Sequence, residues 1–387
     1  MIKEEITLPV HRDGKQIYDI KIHKDFAGLP ECIGCLGDLS GSRICVVTDS
    51  NVSRLYAQEV LELLQPVCRE TFLYTLPAGE EHKGLEEISG IYAYLLENHL
   101  DRRDVLVALG GGVVGDMTGF TAATYLRGIR WIQVPTTLLA MCDSSIGGKT
   151  GVDFAGYKNM VGAFYMPNLV YIAVNALQTL PEEQFASGMG EVLKHGLIRD
   201  ASYYEQVIGN LYEIAERDPE VMMKMVEGSC RIKREIVEKD PTEKGERMLL
   251  NFGHTIGHAI ETCKNFTMTH GACVALGCVG AAYISCRRNL LDAASYYEIR
   301  DMMVGFDLPI SFDGISTQEV LDAITHDKKM IAGKCRFVLL NKIGGAFVDT
   351  SVSEAEMRDA IDSLNAECWE EKLIRLAYAD AGEADEE

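Results

Sequence analysis

Between Leu109 and Lys158 the chain gathers residues that could hold a phosphate-rich cofactor beside an anionic substrate. Gly110, Gly111, Gly112, Val113, Val114, Gly115 and Asp116 follow an apolar run that reads as a buried strand. Glycines in that position let backbone N–H groups and a helix N-terminus face a pyrophosphate. The spacing is not G-x-G-x-x-G, so the ordinary dehydrogenase fingerprint is absent, and a glycine run also serves as a plain tight turn. Pro135-Thr136-Thr137, Asp143-Ser144-Ser145, Gly147-Gly148-Lys149 and Lys158-Asn159 add hydroxyls, a carboxylate and two cations. Asp49, at the end of an earlier strand, is placed either to bind ribose hydroxyls or to cap a helix with Ser50.

A second set could hold a metal. Glu191, His254, His258 and His270 offer the hard oxygen and imidazole nitrogen found in catalytic zinc sites. His254 and His258 share one helix face at i, i+4. The glutamate of H-E-x-x-H is missing, which disfavours a zinc protease. Spacing alone leaves open whether His258 or His270 would be the third ligand. The cations Arg127, Lys149, Lys158, Lys194, Lys233, Arg247, Lys328 and Lys329 form a third set. Several stand beside glycines or inside apolar segments, where a solvated surface charge is out of place. Converging, they would bind carboxylate and phosphate.

The elements that must carry these residues change character along the chain. Residues 5–9 and 18–22 read as paired edge strands. Runs at 43–49, 70–74, 105–109, 131–134 and 169–173 alternate with helical patterns such as 85–98, as in a mostly parallel Rossmann-like sheet. From Pro181 onward helical periodicity dominates, at 181–198, 202–216, 219–238, 246–264 and 271–289. Only 336–340 and 346–349 read as strands there, a hairpin around Gly344-Gly345. The expected domains are an α/β domain over 1–177, a helical metal- and substrate-binding domain over 178–368, and an acidic tail over 369–387.

Bulk properties narrow the function. The 387 residues suffice for two domains, and the net charge of −21 argues against non-specific nucleic-acid binding and anionic membranes. No apolar run reaches the roughly 20 residues of a membrane span. The first residues lead into an alternating strand rather than a signal-peptide core. Twelve cysteines without secretory context point to reduced thiols in the cytoplasm. Cys32 and Cys35 form a lone C-x-x-C, read as an incidental pair of thiols.

Taken together, the motifs resemble those of the bacterial 3-dehydroquinate synthase family, within the sugar phosphate cyclases. The resemblance runs from about residue 40 to 365 and is dense at PAGEEHK (77–83), the glycine block, YLRG (125–128), Pro135–Thr137, Asp143–Lys149, Lys158-Asn159, GEVLK (190–194), LNFGHTIGH (250–258) and DKK (327–329). It implies an NAD-binding α/β domain, a helical metal-binding domain and a homodimer.

Matched residue by residue, the resemblance makes Glu191, His254 and His270 the ligands of zinc or cobalt and leaves His258 as an outer or catalytic histidine. It puts Asp49, Asn51, Glu80, Lys83, Gly111 to Asp116, Thr136, Thr137, Ser144 and Thr179 against NAD, with Lys149 and Lys158 touching both ligands. Asp143, Lys149, Lys158, Asn159, Lys194, Lys233, Arg247, Asn251, Lys328 and Lys329 fall on substrate or catalytic positions. Arg127 matches an arginine lent across the dimer interface to the substrate phosphate.

The implied reaction converts 3-deoxy-D-arabino-heptulosonate 7-phosphate into 3-dehydroquinate and phosphate, in the shikimate route to aromatic amino acids. It proceeds by transient oxidation with NAD, β-elimination of phosphate, re-reduction, ring opening and intramolecular aldol closure. The alternatives are a related cyclase such as 2-deoxy-scyllo-inosose synthase and, from a different class, a glycerol or iron-dependent alcohol dehydrogenase. Gly190 and Pro241 depart from the family pattern, and the first 40 residues match it only loosely.

Overall fold

A computed structural model describes residues 5–326 and 335–368. Lys328, Lys329 and the acidic tail lie outside the described residues. The chain forms two compact units, Met1–Gly188 with Tyr212–Thr242, and Met189–Leu211 with Glu243–Glu387.

The first unit contains β1 (Glu5–Arg12), β2 (Lys15–His23), β3 (Arg43–Asp49), β4 (Glu70–Leu76), β5 (Val105–Gly110), β6 (Arg130–Pro135), β7 (Lys149–Phe154), β8 (Tyr157–Phe164) and β9 (Leu169–Ala173). Seven of these make one sheet in the order β1-β2-β9-β6-β5-β3-β4. Only the β1–β2 pair is antiparallel, so the expected mostly parallel sheet is present. All six residues of β5 and all five of β9 are buried, as befits central parallel strands covered on both faces. Helices α1 (Leu29–Cys32), α2 (Gln58–Leu64), α3 (Leu85–Glu97) and α4 (Gly112–Thr124) connect the strands.

Register sets the functional edge of this sheet. Thr48 of β3 pairs with Leu109 of β5, and Gly110 of β5 pairs with Pro135 of β6. Asp49, Gly110 and Pro135 therefore end side by side at the carboxyl edge of parallel strands, where open α/β sheets bind ligands. β7 and β8 form a separate antiparallel hairpin, which the sequence did not announce as strands.

Helix α5 (Glu182–Arg199) runs across the division between the units, and α6 (Ala201–Gly209) follows. A break at Asn210 separates α6 from α7 (Leu211–Ala215), where one helix was expected. The chain then adds α8 (Pro219–Lys239) to the first unit. Asp218 caps α8 by accepting from the N–H groups of Glu220 and Val221, and Pro219 occupies the first turn.

The second unit continues with α9 (His254–Cys263), α10 (His270–Arg287), α11 (Ala293–Gly305), α12 (Thr317–His326), β10 (Phe337–Lys342), β11 (Gly345–Asp349) and α13 (Glu354–Leu364). Here too an expected single helix divides. Residues Glu246–Asn251 form a 3₁₀ turn, and Gly253 at φ +78° precedes α9. That left-handed conformation suits glycine and interrupts the helical run. The β10–β11 hairpin forms as the sequence predicted.

Candidate active site

In the first unit, α4 begins directly after β5 with its first turn at the carboxyl edge of the sheet. A side chain on Gly111 would meet Thr137 Cγ2 at 3.1 Å, and one on Gly112 would meet Ser144 Oγ at 3.1 Å. These glycines thus bring the helix start, Thr137 and Ser144 together with only backbone in between. Deeper in the helix, a Cβ on Gly115 would lie 2.6 Å from Gln133 Oε1, and one on Gly119 would lie 2.6 Å from the Trp131 ring. The glycine spacing also serves the close packing of α4 on β6, as the third glycine of a dinucleotide-binding turn does. The amide of Thr136 donates to the Gly110 carbonyl at 3.0 Å, joining the two strand ends.

Asp49 Oδ1 accepts from the N–H groups of Asn51 (2.8 Å) and Val52 (3.0 Å), just ahead of the next helix, while Ser50 Oγ accepts from the Ala78 N–H. Thr179 closes a 3₁₀ turn after β9, and its hydroxyl lies 2.5 Å from Tyr56 Oη.

A second group surrounds Lys83, which is almost fully buried. Its Nζ donates to Asp116 Oδ2 and to Asn159 Oδ1, both at 2.7 Å, and lies 3.7 Å from Glu80. Burial works against its charge, but Asp116 and Glu80 outweigh it, and the proton is held more tightly than usual. Asn159 adopts φ +52°, and its amide donates to Asp153 Oδ1. Lys158 stands 3.9 Å from Glu80. Lys149 is exposed at the start of β7. On α8, buried Lys233 donates to the backbone carbonyl and the Oδ1 of Asp143, at 2.6 and 2.5 Å.

Arg127 lies elsewhere. It follows α4 in an exposed turn where Leu126, Arg127 and Gly128 all have positive φ, at 51°, 66° and 120°. The length of α4 separates it from Gly112 by roughly 20 Å.

In the second unit, three helices converge on Glu191. Residues at positive φ or without side chains set their approach. A Cβ on Gly277 would lie 1.8 Å from the Gly253 carbonyl oxygen, one on Gly257 would lie 2.6 Å from the Cys273 oxygen, and one on Gly190 would lie 2.7 Å from the Gly271 oxygen. α9 and α5 can therefore lie against α10 backbone to backbone. As a result Glu191 Oε1 lies 3.4 Å from His270 Nε2 and 3.7 Å from His254 Nε2. Its other oxygen, Oε2, forms a buried ion pair with Lys194 one turn along α5. His258 joins the imidazoles, and one nitrogen from each of His254, His258 and His270 lies within 4.8 Å of the others.

This spacing fits a divalent ion. Ligand atoms about 2.0–2.1 Å from a tetrahedral zinc sit roughly 3.4 Å from one another. His254 Nδ1 lies 3.1 Å from the Phe252 carbonyl, which fixes the proton on that nitrogen and turns the lone pair of Nε2 to the side where an ion would sit beside Glu191. Burial opposes a charge on His270, but the nearby carboxylates of Glu191 and Glu261 outweigh it and lift the imidazole to about 9. The surroundings favour a positive charge at this point. Glu261, which sequence reasoning passed over, is buried with Oε2 3.7 Å from His270 Nδ1. Its signal was present, seven residues after His254 and three after His258 on the same face.

Arg247 is fully buried in the 3₁₀ turn, and Asn251 Nδ2 donates to Glu243 at 2.8 Å. Cys32 is buried with Sγ 3.5 Å from His23 Nε2, and burial pushes its thiol up to about 11. A thiol so protonated does not attack or ligate readily.

The fold is that of the sugar phosphate cyclases. A 2-epi-5-epi-valiolone synthase from Streptomyces hygroscopicus subsp. jinggangensis, solved with NAD⁺ and Zn²⁺, aligns with TM-score 0.83 at 26% identity, covering 92% of this chain and 99% of that one. A 2-deoxy-scyllo-inosose synthase solved with carbaglucose-6-phosphate, NAD⁺ and Co²⁺ gives the same TM-score and coverage at 24% identity, a likeness of fold. Family profiles for the 3-dehydroquinate synthase N-terminal and C-terminal regions match residues 73–187 and 188–330. The 3-dehydroquinate synthase of Acetivibrio thermocellus is 44% identical over 340 residues, 88% of this chain and 94% of the relative. The chain belongs to the 3-dehydroquinate synthase family and is a cyclase.

Proposed function

We propose that this protein converts 3-deoxy-D-arabino-heptulosonate 7-phosphate to 3-dehydroquinate and phosphate, as a carbon–oxygen lyase dependent on NAD and on zinc or cobalt. The observation that carries the reading is the approach of His254 and His270 to one oxygen of Glu191, with Lys194 on the other oxygen.

Glu191, His254 and His270 would hold the ion. Bound there, it would supply Lewis acidity to a ring hydroxyl. Bound NAD would supply reversible hydride chemistry with no net change in its oxidation state. Gly111 to Asp116, with Thr136, Thr137 and Ser144, would cradle the pyrophosphate, while Asp49, Asn51 and Thr179 would position the nucleoside. Glu80 and Lys83 would stand beside the cofactor in this reading.

The substrate carries a carboxylate and a phosphate, and the chain's buried cations suit both. Arg247, Lys194 and Lys233, with Lys149, Lys158, Asn159, Asn251 and Asp143, would orient the two anions and keep water from the ketone formed in transit. His258, beside the two imidazoles, is the residue to hold or pass the proton of the reacting hydroxyl. Arg127 would serve the active site of the partner in a homodimer. Support comes from the apolar residues Leu126, Phe154, Tyr157, Met160 and Phe164, all exposed on the Arg127 turn and the β7–β8 hairpin. Lys328 and Lys329 are assigned to the substrate on the resemblance alone. All twelve cysteines are free thiols, which fits a cytoplasmic enzyme. Among the described residues no helix is long and apolar enough to cross a membrane.

Purified protein supplied with NAD⁺ and Zn²⁺ should release phosphate from the heptulosonate phosphate with no net NADH at steady state. Turnover of glucose 6-phosphate in its place would reassign the substrate, and steady accumulation of NADH would reassign the chemistry to alcohol oxidation.

A further inference from the structure

We infer that Glu261 is a positioning residue for the metal, fixing the tautomer and ring orientation of His270 without touching the ion or the substrate. This rests on the proposal that Glu191, His254 and His270 hold that ion.

Three observations carry it. Glu261 lies on α9 on the face that carries His254 and His258. Its side chain is only 5% exposed, and an ionised carboxylate in such a setting is costly unless a donor or a positive charge meets it. Its Oε2 faces His270 Nδ1 at 3.7 Å, while the same ring turns Nε2 toward Glu191 at 3.4 Å.

An imidazole with an acceptor beside Nδ1 keeps its proton there and presents the lone pair of Nε2 to a metal. His254 obtains the same result from the neutral carbonyl of Phe252. His270 obtains it from a carboxylate, which makes its Nε2 the more strongly donating of the two. α9 thus supplies one imidazole to the ion and one carboxylate to the imidazole of α10. The gap of 3.7 Å exceeds a hydrogen bond by about 0.5 Å.

Glu261→Gln keeps the size and an acceptor oxygen but removes the charge, and Glu261→Ala removes both. Wild-type and variant proteins, stripped of metal, would be titrated with Zn²⁺ and Co²⁺ against a chromogenic chelator, with the visible Co²⁺ bands recorded. Affinity should fall about 10- to 100-fold in Glu261→Ala and by a smaller factor in Glu261→Gln. The Co²⁺ bands should shift in both, while the circular dichroism of the metal-free proteins stays that of wild type. Should the alanine variant fail to fold, the glutamine variant decides. Affinity within twofold of wild type together with unchanged Co²⁺ bands overturns the role of Glu261. His254→Ala is the control, and if it also binds metal as wild type does, the metal assignment itself is overturned.

Discussion

Glu191 and His270 belong to different helices, yet Oε1 of one lies 3.4 Å from Nε2 of the other, while Oε2 is taken by Lys194. The carboxylate therefore has two separable duties, one to a buried ammonium and one to the imidazoles. Removing it should damage both. Glu191→Ala should lose bound metal and activity and also unfold more readily, by about 3 kcal/mol or more, because a buried cation loses its counter-charge. His254→Ala should lose metal and activity while keeping most of its stability. Metal content by mass spectrometry and urea unfolding separate the two. Full activity in a metal-free His254→Ala protein would defeat a catalytic role for the ion.

Gly277→Ala places a methyl where only 1.8 Å separates the Cβ position from the Gly253 carbonyl oxygen. Backbone on both sides cannot give way as a side-chain tip can. The substitution should cost about 3 kcal/mol and weaken metal binding by separating α9 from α10. A thermal midpoint and metal affinity equal to wild type would show that the helices tolerate a wider gap.

Arg127 stands about 20 Å from the glycine turn of its own chain, in a turn of three left-handed residues. If it serves a partner's site, Arg127→Ala and Glu191→Ala should each be inactive alone. Mixed and allowed to exchange subunits, they should regain part of the wild-type activity, about a quarter at most for random dimers of equal parts. Light scattering should give twice the chain mass. A monomer, or mixtures that stay inactive, would exclude the shared site.

Arg288 at the end of α10 donates two hydrogen bonds to Glu356, at 2.6 and 2.8 Å, and Glu356 completes a capping box with Ser353 on α13. The Arg288 hydrogen bonds hold Glu356 down from the ordinary 4.5 to about 2. A carboxylate held low contributes stability that is fully present above pH 4.5 and lost as pH falls through about 2. Arg288→Ala should therefore destabilise by about 1–2 kcal/mol at neutral pH, allowing for the water that reaches this pair. The difference from wild type should shrink below pH 4.5 and vanish near pH 2. A difference that does not vary with pH would mean that Arg288 acts through packing alone.

Much of the first unit was legible in the sequence because its parallel strands are continuous apolar runs of the right length. The run 105–109 became β5 with all of its residues buried. The β7–β8 hairpin was hidden by its own glycines. Gly151 pairs with Gly162 across the strands, and a Cβ on Gly162 would lie 2.2 Å from the Thr150 oxygen, so the alternation that marks a strand is missing where backbones crowd. In the second unit, helical periodicity predicted α9 and α10 but carried straight through residue 253, because local pattern does not report a left-handed glycine. Glu191 and His254 could be proposed as neighbours only through the motifs they sit in. Periodicity says which face of a helix is apolar, not which helix it meets. Glu261 was missed because an acid next to Thr262 and Cys263 reads as a solvated helix end, whereas here it is buried.

The close contacts at Gly253, Gly257 and Gly277 have a consequence for metal choice. Peptide carbonyls and bare α-carbons, rather than the ion, set how far apart the donor atoms stand. Folding and loading should then be separate events, and one divalent cation should exchange for another of similar radius without dismantling the chain. Which element a cell installs would be governed by its supply of that element as much as by this scaffold.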